Sequence, residues 1–234
     1  MEKFITLFTG IEAKVLATLL LIAGGIWAFV ELADEVIEGE TQSLDQKILL
    51  LLRNGTDLSD PVGPLWFEEI MRDLTALGGF TILTMLSLAV IGFLLIQQKQ
   101  GIAMFVAVSV AGGQMLSFLL KYGFDRPRPD LVPHGSFVMT ASFPSGHSML
   151  SAVTFLTLGG LLAQYMKKFR LKIYTLSISV LMTLLVGVSR VYLGVHWPTD
   201  VLAGWVAGAS WALICWFFAF RLRSRGRLEG NLEN

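Results

Sequence analysis

Hydrophobic and polar positions alternate along this chain on the scale of whole helices. Apolar runs fall at about residues 15–33, 79–97, 101–120, 148–166, 173–189 and 199–220, each close to the ~20 residues that cross a bilayer as helix. Six spans are predicted. The first run follows Lys3 and Lys14, but it has no small-residue cleavage site and continues into Glu31, so it reads as a retained anchor. Residues 34–78 are more polar yet still patterned. Ser43 with Gln46 makes a capping box ahead of the Ile48–Leu52 run. A second short helix is predicted to begin near Asp60 and Pro61, with Trp66, Ile70 and Leu74 on one face and Glu68, Glu69, Arg72 and Asp73 around the rest, the pattern of a helix lying in the membrane interface. The predicted fold is therefore an all-α integral membrane protein. Residues 1–234 form one domain of six transmembrane helices, with short interfacial helices in the first outward loop. Gly112, Gly113, Gly204 and Gly208 would let helices approach closely.

Composition agrees with that pattern and narrows the partners. The 234 residues are 54% hydrophobic and 15% charged, too apolar for a soluble domain of this size. Formal net charge is zero, so nothing points to nucleic acid; the bilayer is the implied partner. The single cysteine, Cys215, excludes an intramolecular disulfide and a cysteine-rich metal site. Charge sorting sets the orientation. Lys99, then Lys167, Lys168, Arg170 and Lys172, then Arg221, Arg223, Arg225 and Arg227 mark one side of the membrane as cytoplasmic. Both termini are then inside, and loops 34–78, 121–147 and 190–198 face outward from a bacterial inner membrane. Lys121, Arg126, Arg128 and Arg190 break the rule on that outer face, which suggests function rather than topology.

Topology brings these exceptions together. Spans four and five make one trip in and back, so the loops after spans three and five share a membrane face, carrying cations, His147, His196 and Asp200. At Phe143–His147 a polar loop turns into a helix; its free first amides, with Ser145 and Gly146, suit an anion such as phosphate. Lys121, Arg128 and Arg190 supply three positive charges for a phosphoryl group. His196 and Asp200 are four residues apart; in a helical first turn they would share a face, and the carboxylate would fix the imidazole tautomer. The free nitrogen is then a nucleophile and His147 a general acid. Two histidines and Asp200 are also conceivable zinc ligands.

Lys121 with Arg128-Pro129, Pro144-Ser145-Gly146-His147, and Ser189-Arg190 with His196 and Asp200 resemble the three-part signature of the type 2 phosphatidic acid phosphatase superfamily, in order and spacing. The rest is similar to bacterial six-span lipid phosphatases of that family, and Asp73–Gly79 resembles a stretch many of them share. The resemblance implies hydrolysis of a lipid phosphate monoester or pyrophosphate such as phosphatidylglycerol phosphate, phosphatidic acid or undecaprenyl pyrophosphate. It implies catalysis by His196 as nucleophile through a phosphohistidine, with Asp200 orienting it and His147 as acid. Lys121, Arg128, Ser145, Gly146 and Arg190 would bind phosphate, with no cofactor and no metal.

Rival functions are a lipid phosphotransferase or lipid A phosphatase using the same site, and a lipid transporter. The last is disfavoured because charges sit at span ends rather than at the midplane. Arg126 has two readings: support of a second phosphate, or a salt bridge to Asp125 or Asp130. His134 is predicted to be an exposed loop residue, and Tyr192 and Trp197 to be aromatics of the membrane interface.

Overall fold

The runs that are apolar on all sides become long helices, because a bilayer leaves backbone polar groups no partner except each other. A computed structural model describes residues 2–136 and 140–224. In chain order it contains α1 (Glu2–Glu38), α2 (Gln42–Leu51), β1 (Arg53–Asn54), β2 (Asp57–Pro61), α3 (Leu65–Leu77), α4 (Phe80–Ile96), α5 (Gln100–Gly123), α6 (Gly146–Tyr165), α7 (Phe169–Tyr192) and α8 (Pro198–Ser224). Among the described residues five helices are long and apolar enough to span by themselves, and α3 with α4, bent by 51° at their junction, bring the count to six when the pair is taken as one span. The all-α membrane fold read from the sequence is the fold observed. Arg225 and Arg227, used in the orientation argument, lie outside the described residues.

The 34–78 loop differs from its prediction in three places. Ser43 lies inside α2, whose N-cap is Thr41, and the Thr41 side chain caps no amide of the helix. Asp60 and Pro61, expected to open the second helix, instead end a strand, Asp57–Pro61, antiparallel to β1, with Arg53 opposite Pro61 and Asn54 opposite Asp57. The local cause is Asn54, whose side chain holds a turn over Gly55-Thr56 in competition with helix. Asn54 Oδ1 accepts from the amide and hydroxyl of Thr56 and closes the turn. In α3, Trp66 and Ile70 are exposed, as an interfacial face requires, but Leu74, predicted on that face, packs with buried Met71 against Tyr192 and Leu193, and Thr75 is buried too.

The core is centred on α6, which packs against α4, α5, α7 and α8, while α1 covers the other side of α8. Small residues set these distances. A Cβ on Gly204 would stand 2.6 Å from the Ser145 carbonyl oxygen, and one on Gly208 2.5 Å from that of Met149. Gly112 and Gly113 make room for Trp211 and Val153 in the same way. This close approach, characteristic of membrane helices, presses the N-terminal end of α8 onto that of α6. At the opposite end Lys99 Nζ donates to Tyr165 Oη at 3.3 Å, so the α4–α5 turn and the end of α6 share one face.

Candidate active site

The His196–Asp200 pair is built by helix capping. α8 begins at Pro198, so His196 lies two residues before it and Asp200 is its third residue. Asp200 Oδ2 accepts from the Trp197 amide at 2.9 Å, the reach-back of a capping box. The same oxygen lies 3.3 Å from His196 Nδ1 and accepts the Ser142 hydroxyl. The two side chains thus meet because the carboxylate turns back, rather than by sharing a helical face as predicted. Both residues are buried, His196 at 1% exposure and Asp200 at 0%.

The other imidazole nitrogen faces the cations. Arg128 Nη1 lies 3.2 Å from His196 Nε2 and donates to the Val195 carbonyl at 2.6 Å. A guanidinium only donates, so Nε2 is the acceptor and the ring proton sits on Nδ1, toward Asp200. Arg128 is fixed further by Nε donating to the Thr140 carbonyl at 2.8 Å, and burial lowers its pKa, with Asp200 opposing that shift. For His196, burial outweighs the Asp200 carboxylate and, with Arg128 and Arg190 nearby, takes the pKa down to about 3. The imidazole is neutral at physiological pH.

The rest of the cluster comes from three more helix ends. Ser145 is the N-cap of α6, followed by Gly146 and His147 as its first two residues. Its amide donates to the Asp200 carbonyl at 2.9 Å, joining α6 to α8. Its hydroxyl oxygen accepts from the Ser148 hydroxyl at 2.9 Å, and Ser145 is fully buried. Lys121, in the last turn of α5, donates to the Ala141 carbonyl at 2.8 Å, and its Cε lies 3.4 Å from where a Gly146 Cβ would stand. Its stem therefore crosses the start of α6. Arg190, in the last turn of α7, is 2% exposed and donates from Nη1 to Thr75 Oγ1 at 2.7 Å. Its Nε is buried without a partner. His147 lies within electrostatic reach of Arg190, His196, Lys121 and Arg128. Thus Lys121, Arg128, Ser145, Gly146, His147, Arg190, His196 and Asp200 gather at one end of the bundle.

Arg126 joins that group through Asp200. It bonds neither of the carboxylates named for it in the sequence: Nη1 donates to Asp200 Oδ1 at 2.6 Å and Nη2 to Asp45 Oδ2 at 2.7 Å. It grips the Asp200 oxygen that His196 does not use. Two aromatic assignments are also corrected. Tyr192 and Trp197 are 3% and 7% exposed; Trp197 Nε1 donates to the Pro127 carbonyl and Tyr192 Oη to that of Val62. They pin the site loops instead of meeting lipid. His134 is exposed as expected, with Nε2 donating to the Pro129 carbonyl at 2.7 Å. Sequence reasoning missed Asp45, Thr75 and Ser142, although Asp45 lay inside the Ser43–Gln46 box and Thr75 inside Asp73–Gly79, stretches singled out on other grounds.

Four helix ends with this arrangement of cations, imidazoles and carboxylate define a membrane phosphatase scaffold, and the chain belongs to the PAP2 superfamily, whose model matches residues 102–224. Among its relatives, phosphatidylglycerophosphatase B of Bacillus subtilis is 33% identical over 148 residues, 61% of this chain and 70% of that protein. The undecaprenyl-diphosphatase of Sulfolobus acidocaldarius is 28% identical over 137 residues, 56% of this chain and 59% of that one. The crystal structure of a transmembrane PAP2-type phosphatidylglycerolphosphate phosphatase from Bacillus subtilis superposes with a TM-score of 0.75 at 27% identity, covering 86% of this chain and 96% of that chain. The Aquifex aeolicus LpxE structure shares the fold, with a TM-score of 0.53 at 24% identity over 76% of this chain and 95% of that one.

Proposed function

We propose that the chain is a metal-independent lipid phosphatase that works through a phosphohistidine on His196. The observation that carries this reading is the polarity of the imidazole: Nδ1 faces Asp200 and Nε2 faces Arg128. A phosphate held by Lys121, Arg128 and Arg190, with the Ser145 hydroxyl and the Gly146 amide, would stand in front of Nε2. Nε2 forms the bond to phosphorus as the ester or anhydride bond to the leaving oxygen breaks, and His147 gives that oxygen a proton. Water then attacks phosphorus, its proton goes to His147, and phosphate leaves with the imidazole restored. Asp200 stabilises the positive charge that the phosphorylated ring carries, while the guanidinium and ammonium groups stabilise charge on the phosphoryl oxygens. A guanidinium 3.2 Å from Nε2 suits an anion there rather than a metal ion.

The phosphate is that of a membrane lipid, because the cluster lies at the ends of spanning helices, at headgroup depth. Relatives named for phosphatidylglycerol phosphate and undecaprenyl diphosphate support that substrate class. The site faces outward from a bacterial inner membrane with both termini cytoplasmic, since Lys99, Lys167, Lys168, Arg170 and Lys172 crowd the opposite end. The deciding experiment is phosphate release from phosphatidylglycerol phosphate, phosphatidic acid, undecaprenyl pyrophosphate and lipid A in the presence of EDTA. Wild type releases phosphate from at least one lipid and His196→Ala from none; EDTA-sensitive release, or release by the variant, overturns the mechanism.

A further inference from the structure

Behind the reacting pair lies a network that the mechanism above does not use. Asp45, in the first turn of α2, is 0% exposed. Its Oδ1 accepts from the Thr199 amide at 3.0 Å, one of the free first-turn amides of α8. Its Oδ2 accepts from the Thr199 hydroxyl at 2.6 Å and from Arg126 Nη2 at 2.7 Å. Arg126 Nη1 in turn donates to Thr199 Oγ1 at 2.8 Å and to Asp200 Oδ1 at 2.6 Å. The planar fork of one guanidinium therefore bridges two buried carboxylates, and the Trp197 ring lies against it, with its centroid 5.7 Å from the guanidinium carbon. Every oxygen of Asp45 and Asp200 has a donor.

We propose that Asp45 and Arg126 are positioning residues of the phosphatase reaction, which clamp Asp200 and set the charge that it presents to His196. The charge balance gives the reason. Arg126 alone beside Asp200 would neutralise the carboxylate just where the imidazole becomes positive on phosphorylation. Asp45 shares the guanidinium, so two carboxylates and one cation retain one net negative charge behind the ring. The clamp also ties the outward helix α2, which lies outside the matched residues 102–224, to the reacting pair. This inference rests on His196 as the nucleophile.

The test uses the panel lipid that wild type turns over fastest, in detergent micelles. Steady-state rates and base-quenched single-turnover phosphoenzyme are measured for Asp45→Asn, Arg126→Met, the double variant, Arg126→Lys and His196→Ala. Asp45→Asn is expected to lower kcat and the rate of phosphoenzyme formation by the same factor, about 10- to 100-fold, with KM within about twofold. The double variant is expected to be no more than about twofold worse than Asp45→Asn, because the two residues act as a unit. Arg126→Lys keeps the charge without the fork and should show the same fall in kcat at constant KM. Losses in Arg126 variants should be equal for monophosphate and pyrophosphate lipids; selective loss on the pyrophosphate would return Arg126 to a second phosphate and overturn the clamp. Wild-type kcat in Asp45→Asn, or losses that multiply in the double variant, also overturn it. Should Asp45→Asn fail to fold, wild-type kcat in Arg126→Lys does so instead. Activity in His196→Ala removes the nucleophile beneath it, a failure distinct from that of the clamp.

Discussion

Thr75 holds Arg190: the threonine hydroxyl oxygen accepts from Nη1 at 2.7 Å, joining the last turns of α3 and α7 across a buried contact. Arg190 Nε already lacks a partner, so the cation is held ready for a ligand by one side chain. Thr75→Val, which keeps the shape and removes the oxygen, should lower kcat/KM by about tenfold, the worth of a hydrogen bond to a charged group. Steady-state kinetics on the preferred lipid check this, and an unchanged kcat/KM would remove Thr75 from the site.

Close packing at Gly204 is equally testable. A Cβ there would meet the Ser145 carbonyl oxygen at 2.6 Å and Ser148 Cβ at 2.9 Å, whereas one on Gly24 has open space. Gly204→Ala should cost about 1–3 kcal/mol by overpacking and reduce activity by parting the ends of α6 and α8. Gly24→Ala should be neutral or slightly stabilising, since alanine is the better helix former. Thermal melts in detergent, run beside activity, separate the two.

His196 makes stability depend on pH. Its folded pKa, about 3, lies below the ordinary 6.5, so the unfolded chain takes up the proton first as pH falls. The contribution is fully present above 6.5 and is lost as pH falls toward 3, at up to about 1.4 kcal/mol per pH unit. Melting temperature should therefore drop more steeply between pH 6.5 and 5 in wild type than in His196→Gln. Parallel profiles would show that the imidazole is not buried neutral.

Orientation is checked with reporters. Fused after residue 234, alkaline phosphatase should be inactive and a cytoplasmic fluorescent protein bright, because the basic loops mark the inner face. The opposite pattern would put the site on the cytoplasmic side.

The membrane fold was legible because an apolar run of bilayer length leaves the chain few alternatives to helix. Lys121, Arg128, Ser145, Gly146, His147, Arg190, His196 and Asp200 could be named in advance because they sit at span ends whose side of the membrane follows from counting crossings. The hairpin at 53–61 was hidden by a short polar stretch in which Asn54-Gly55 was the one turn signal, and the burial of Tyr192 and Trp197 depended on loops folding over them.

By itself, then, the sequence determined the spans, the shared face of the motifs and the residue types that meet there. Tertiary structure alone decided how they are wired: that Asp200 reaches His196 by turning back at a helix cap, that Thr75 holds Arg190, and that Arg126 serves Asp200 and Asp45 together. The physical reason is range. Hydropathy and spacing act along the chain, whereas the partner of a buried charge is chosen by whichever distant group the packed helices bring within about 3 Å, and Asp45 lies 81 residues from Arg126.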